Sequence, residues 1–294
     1  MRISGTYTAL ITPFRDGVID VPAYQALIER QIAGGVDGII PCGTTGESPT
    51  LNSQEHLEAI RLAVACAAGR CVVIAGAGAN ATAEAIELTQ AAEKLGVDGT
   101  LQVCPYYNKP SQQGLFLHFK AIAESTRLPI MLYNVPGRSV IDIAPDTTAR
   151  LAAACSNIVA LKEAGGSVER VNQLVHAMPE DFAILCGDDP LTLPFIACGA
   201  TGLVSVTSNL IPDVMARLVR ACLNGSFDEA LVLQKQFYPL MRGLMSLDVN
   251  PVPIKTAVSL QGHCSPELRL PLAPMCSERI ESLRSLLESY NLLP

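Results

Sequence analysis

The chain has 294 residues, 49% hydrophobic and 17% charged, which suits one large α/β barrel or two ordinary domains and gives no compositional sign of disorder. A formal charge of −7 with no basic block argues against a nucleic-acid or anionic-membrane partner. The apolar runs are short and broken by Gly and Pro, so none is expected to span a membrane. The N-terminus, MRISGTYTALITPF, lacks the basic start and longer apolar region of a signal peptide, and a cytoplasmic protein is the expectation. Ten cysteines are scattered without a CxxC pair, and Cys42, Cys104, Cys186 and Cys198 sit inside apolar runs, which predicts reduced core thiols. His56, His118, His176 and His263 have no ligand spacing, so the sequence offers no metal site.

In chain order, the first strand-like run is Tyr7–Thr12, which leads into TPFRDG. Gly38–Gly43 follows. After it, Asn52 and Glu55 mark a helix start, and Leu57, Ile60, Val64 and Ala67 share one helical face. Val72–Gly78 precedes a second such helix, patterned on Ala85, Leu88, Ala92 and Leu95 and stopped by Gly96. Thr100–Pro105, Pro129–Val135, Ile158–Ala164, Phe182–Gly187 and Gly202–Thr207 complete the strand set. Pro145 and Pro212 suit helix first turns.

Strand and helix alternate eight times, the signature of parallel βαβ units. Eight units predict an α/β fold, a (β/α)8 TIM barrel over residues 1–225. An open doubly wound sheet is the runner-up. It usually carries GxGxxG after its first strand, where this chain has TPFRDG, and Gly76-Ala77-Gly78 is a weak echo of that loop. Residues 226–294 are expected to form a C-terminal helical appendage with a Pro-rich break at Asn250–Pro253.

A barrel places chemistry at the C-terminal ends of its strands. There the sixth run carries Lys162. By strand alternation Ile158, Ala160, Lys162 and Ala164 share one face, and Val159, Leu161 and Glu163 the other. An amine among such small neighbours is poorly hydrated, and a neutral lysine can attack a carbonyl to form a Schiff base. A strand-end lysine that snorkels or pairs with an acid is the plainer alternative. Gly43-Thr44-Thr45-Gly46-Glu47 offers a tight turn whose N–H groups can cradle a carboxylate, or is a plain Thr-capped turn. Tyr133 has the parity of Met131 and Val135, which points it into the barrel as a proton shuttle or as a core tyrosine. Arg138, expected on a loop, can fork onto a carboxylate or make a surface ion pair. Tyr106 and Tyr107 end the fourth run as site or packing residues.

GTTGE, PYYNKP, YNVPGR, the lysine of ALKEA, CGDD, and NPVPIK at Asn250–Lys255 together resemble the dihydrodipicolinate synthase family, from near Gly5 to about Pro274. The resemblance implies that Lys162 forms an imine with pyruvate, and that the derived enamine attacks aspartate semialdehyde, with no cofactor. It implies that Tyr133, Thr45 and Tyr107 relay protons, Tyr107 reaching in from a neighbouring subunit of a homotetramer, a dimer of dimers. Thr44 and Thr45 N–H groups would hold the pyruvate carboxylate, backbone near Gly187 and Val204 would line its pocket, and Arg138 would bind the semialdehyde carboxylate. Ser48, Leu51, His56, Asn80, Glu84 and Tyr106 match a lysine effector site. Pro49 and Ser53 depart from that pattern, which implies weakened, partial inhibition. Another pyruvate-dependent aldolase of the superfamily and a catalytically silent ligand-binding barrel stay open beside this reading.

Overall fold

Eight parallel strands close into a barrel in the computed structural model, which describes residues 3–294. They are β1 (Gly5–Ala9), β2 (Gly38–Ile40), β3 (Val72–Gly76), β4 (Gly99–Val103), β5 (Ile130–Asn134), β6 (Ile158–Glu163), β7 (Ala183–Cys186) and β8 (Gly202–Ser205). Each pairs with its neighbour in sequence, and β1 pairs with β8 to close the ring. With helices between the strands this is the (β/α)8 barrel, not the open sheet. The strands end earlier than the apolar runs suggest: β1 at Ala9 rather than Thr12, β2 at Ile40 rather than Gly43, β8 at Ser205 rather than Thr207. Apolar character outlasts pairing there because the mouth loops are themselves buried, as at Leu10, Ile11 and Val206.

The TPFRDG stretch, which the first strand leads into, begins a small antiparallel hairpin of Phe14–Arg15 and Val18–Ile19. Asp16 and Gly17 both have positive φ, 52° and 79°, as a two-residue hairpin turn requires.

The core has two layers. Tyr7, Ile40, Ile74, Met131, Tyr133, Ala160, Leu185 and Val204 fill the barrel interior. Larger clusters lie between the barrel and its helices. Strict alternation along β6 fails at one point. Ile130 of β5 pairs with Ile158, but Met131 pairs with Ala160, so Val159 is an extra residue. Ile158 therefore packs in the outer layer rather than with Ala160, and Val159 leans on the interior. From Ala160 onward the expected parity holds and carries Lys162 inward.

Helix Ser53–Ala67 opens with a capping box: Asn52 Oδ1 accepts from Glu55 N and Glu55 Oε2 from Asn52 N, each at 3.0 Å. Its buried face is turned slightly from the expected one. Ala59, Ile60, Ala63 and Ala67 are buried, while Leu57 and Val64 are half-buried at its edge. Helix Thr82–Lys94 buries Ala85 and Ala92 and gives way to Gly96 at φ 82°. Pro145 and Pro212 begin helices Pro145–Ala154 and Pro212–Leu223. Beyond them lie helices Phe227–Ser246, Val252–Leu260 and Ser277–Glu288. Val252 to Val258 of the middle one are all buried. Cys198, expected in the core, is half-buried. No helix among the described residues is long and apolar enough to cross a membrane.

Candidate active site

Lys162 sits at the C-terminal end of β6, 5% exposed. Tyr133 of β5 is its direct register partner, and Lys162 Nζ lies 4.2 Å from the Tyr133 ring centroid. The room for its stem comes from Gly187, the residue that follows β7. A Cβ on Gly187 would come within 2.7 Å of Ala164 Cβ and 3.1 Å of Lys162 Cε, so a side chain there would push on the lysine. Val204 faces the same interior from β8.

The turn after β2 closes on itself. Its own hydrogen bonds come from the N–H groups of Gly46, Glu47 and Ser48 to the carbonyls of Gly43 and Thr44. That leaves the Thr44 and Thr45 N–H groups outside these bonds. Thr45 is buried, and its Oγ1 accepts from Asn250 Nδ2 at 3.1 Å. Glu47 takes the left-handed conformation at φ 56° and forms a fully buried ion pair with Lys255. Arg269 N–H donates to Glu47 Oε2 at 3.0 Å, and the Lys255 amine lies 4.1 Å from the Phe14 ring centroid. Burial holds Lys255 below its ordinary pKa against the opposing pull of Glu47. The two buried lysines thus differ: Lys255 is committed to a carboxylate, while Lys162 faces an aromatic ring.

Arg138 is not on an open loop. It lies in the one-turn helix Pro136–Ser139, which Pro136 begins with its φ already helical. Its guanidinium is exposed, and Nη2 donates to the Asn250 carbonyl at 3.0 Å. Asp189 is wholly buried after β7. Its Oδ2 accepts from the N–H groups of Val206 and Thr207 and from the Thr207 hydroxyl, at 2.9–3.0 Å, fixing the loop that follows β8. Burial raises its carboxyl above the usual range despite those bonds.

Tyr107 stands apart from this group. It is 88% exposed, at φ 74°, and the Asn108 N–H bonds back to the Tyr106 carbonyl at 2.9 Å across it. That is a γ-turn, a strained conformation for a bulky residue. Asn80 and Asn108 brace it by side-chain bonds to the carbonyls of Tyr106 and Asn80.

A cavity of about 530 Å³ opens beside the site. Thr44, Tyr133 and Arg138 line it together with Ser48, Leu51, His56, Glu84 and Tyr106, while Lys162, Thr45, Tyr107, Gly187 and Val204 do not. Pro49 and Ser53 also line it. Asn80 is not among the lining residues; its side chain donates to the Tyr106 carbonyl at 3.3 Å. His56 is buried with Nε2 on the Gly76 carbonyl at 2.7 Å, and burial lowers its pKa. Burial, then the charge of Glu84, raises the Tyr106 phenol.

The sequence reading gave no role to Asn250 and Lys255, although both fall in NPVPIK. Their partners, Thr45 and Glu47, lie 205 and 208 positions away in the chain. No spacing rule reports such a contact.

A lysine amine turned inward at the mouth of an eight-stranded barrel is the equipment of lysine-dependent carbonyl enzymes, and that is the class this fold and site define. The family model described as the Dihydrodipicolinate synthetase family matches residues 2–290, and the chain belongs to that family. A curated relative, the 4-hydroxy-tetrahydrodipicolinate synthase of Pelobacter propionicus, is 47% identical over 98% of this chain and 99% of its own. Among solved structures, dihydrodipicolinate synthase from Aquifex aeolicus is 46% identical, covers 99% of each chain and superposes with a TM-score of 0.98. The dihydrodipicolinate synthase of Cyanidioschyzon merolae with lysine bound is 43% identical over 99% of each chain, with a TM-score of 0.95.

Proposed function

We propose that the protein condenses pyruvate with L-aspartate 4-semialdehyde to 4-hydroxy-tetrahydrodipicolinate, a lyase step of lysine and diaminopimelate biosynthesis. The observation that carries this reading is the buried, inward-facing Lys162 against Tyr133. In this reading the Lys162 amine adds to the keto carbon of pyruvate, and loss of water gives the imine. A methyl proton then leaves to give the enamine, with the iminium nitrogen taking the electron pair. The enamine carbon attacks the semialdehyde carbonyl. The substrate's own amino group displaces Lys162 and closes the ring.

Tyr133 moves the protons, with the Thr45 hydroxyl holding its phenol. The free Thr44 and Thr45 N–H groups receive the pyruvate carboxylate, and backbone at Gly187 and Val204 closes its pocket. Arg138 binds the semialdehyde carboxylate. Tyr107 completes the site of a neighbouring subunit in a homotetramer of paired dimers. Its exposure and its strained turn support this, since neither serves the isolated chain. No cofactor has a part in the reaction, because the imine is itself the electron sink. The cytoplasm is the compartment we assign, on ten unpaired thiols. Lysine binds in the part of the cavity lined by Ser48, Leu51, His56, Glu84 and Tyr106, with Asn80 beside Tyr106. Ser53 is too short for a long side-chain contact, so inhibition is partial.

The test is a coupled assay with pyruvate and aspartate semialdehyde, repeated across a lysine titration. Turnover with this aldehyde above other aldehydes is expected, with incomplete inhibition by lysine. Turnover only with a different aldehyde would overturn the substrate assignment. A second test mixes Lys162→Ala and Tyr107→Phe proteins after subunit exchange. Partial recovery of activity is expected, and none at any mixing ratio would contradict a shared site.

A further inference from the structure

The NPVPIK stretch has no part in the chemistry above, yet it grips the site loop at two points. Asn250 Nδ2 donates to Thr45 Oγ1 at 3.1 Å. Lys255 holds Glu47, two positions further along the same turn. The Asn250 main-chain carbonyl also accepts from Arg138 Nη2 at 3.0 Å. The helix that follows, Val252–Leu260, is buried from Val252 to Val258, so Asn250 is presented from a rigid element. Asn250 Oδ1 is buried without a partner among the described residues. The side chain is therefore not tied to the scaffold through its oxygen, and its bond is to Thr45.

A threonine hydroxyl has one proton and two lone pairs. An amide N–H entering one lone pair obliges the proton to point elsewhere. An acceptor in the same place would draw that proton to itself.

We propose that Asn250 is a positioning residue: its side-chain amide directs the Thr45 proton toward Tyr133, while its main-chain carbonyl seats Arg138. One residue of the C-terminal segment thereby sets both the proton relay and the cation for the second substrate. The inference rests on the functional reading above and extends it to a residue outside the barrel strands and their loops.

The test is steady-state kinetics on the full-length protein with Asn250→Asp, made alone and on a Thr45→Val background. Aspartate has the same size and can only accept. With Asn250→Asp alone, kcat should fall about a hundredfold or more. Exchange of the pyruvate methyl protons with D2O should slow in parallel. KM for the semialdehyde should stay within about threefold, since Arg138 bonds the main chain, which the substitution leaves in place. On Thr45→Val there is no hydroxyl to misdirect, and the same substitution should cost no more than about twofold. A merely structural Asn250 gives losses that add in the double variant and a KM that moves with kcat. Either that additivity or a kcat within about threefold of the parent overturns the inference. If circular dichroism shows Asn250→Asp unfolded at the assay temperature, Asn250→Leu, which cannot donate, takes its place, with the same non-additivity expected. A parent protein with no turnover sinks the functional reading and this inference with it. A parent that turns over while the variant matches it sinks the inference alone.

Discussion

Lys162 shows how a single residue can be read from sequence. Its apolar run, its parity with Ala160 and Ala164 and its position at a strand end all pointed inward, and it lies inward. Ile158 was assigned to the same face and lies on the other, because a bulge at Val159 resets the alternation. A bulge has no reliable signature in a run of β-branched residues. Arg138 was legible as a residue type suited to carboxylates, but its helix and its bond to Asn250 were not, since that partner is 112 positions away. Apart from this bond Arg138 is exposed, and the functional reading has it bind the semialdehyde carboxylate. Replacing Arg138 with Leu should therefore spare imine formation with pyruvate and weaken semialdehyde use about ten- to hundredfold, the effect of a lost charged hydrogen bond. Comparing pyruvate trapping with KM for the semialdehyde checks this, and unchanged KM would place the second substrate elsewhere.

At the scale of elements, local signals read well and long-range ones did not. The capping box at Asn52 and Glu55 and the prolines at helix starts are short-range chemistry, and each is realised. The face of helix Ser53–Ala67 was legible only to within a residue, since Ala59 and Ala63 are buried while Leu57 and Val64 lie at its edge. The link between the turn after β2 and helix Val252–Leu260 was invisible, being a contact between Glu47 and Lys255 across the chain. That link makes a stability prediction. Lys255→Met leaves Glu47 buried and uncompensated, and should cost about 3–5 kcal/mol. Lys162→Met removes no ion pair and should cost much less while abolishing turnover. Urea midpoints for the two variants decide it, and equal midpoints would contradict the division of roles between the two lysines.

The whole molecule was the most legible scale, because eightfold alternation of strand and helix leaves few ways to close a sheet. How it responds to pH follows from its buried imidazoles. His118 is buried, with Nδ1 2.9 Å from Thr82 Oγ1, and burial pulls its pKa down to about 4. The unfolded chain protonates that ring near pH 6.5, while the folded chain does not until about pH 4. Its contribution is therefore complete above pH 6.5 and is lost as pH falls toward 4, a change of about 2–3 kcal/mol by pH 4.5. His56, lowered for the same reason, adds in the same direction. Urea unfolding of the parent at pH 7.5 and 4.5 should show this drop, and His118→Gln should show a smaller one. An identical drop in both would mean that other groups control the acid limb.

The claim on which the rest depends is the covalent step at Lys162. Incubation with pyruvate and borohydride, followed by peptide mass spectrometry, tests it directly. One label per chain is predicted, on the peptide containing Lys162, and absent from Lys162→Ala. A label on Lys255 or Lys109, or none at saturating pyruvate, would contradict it.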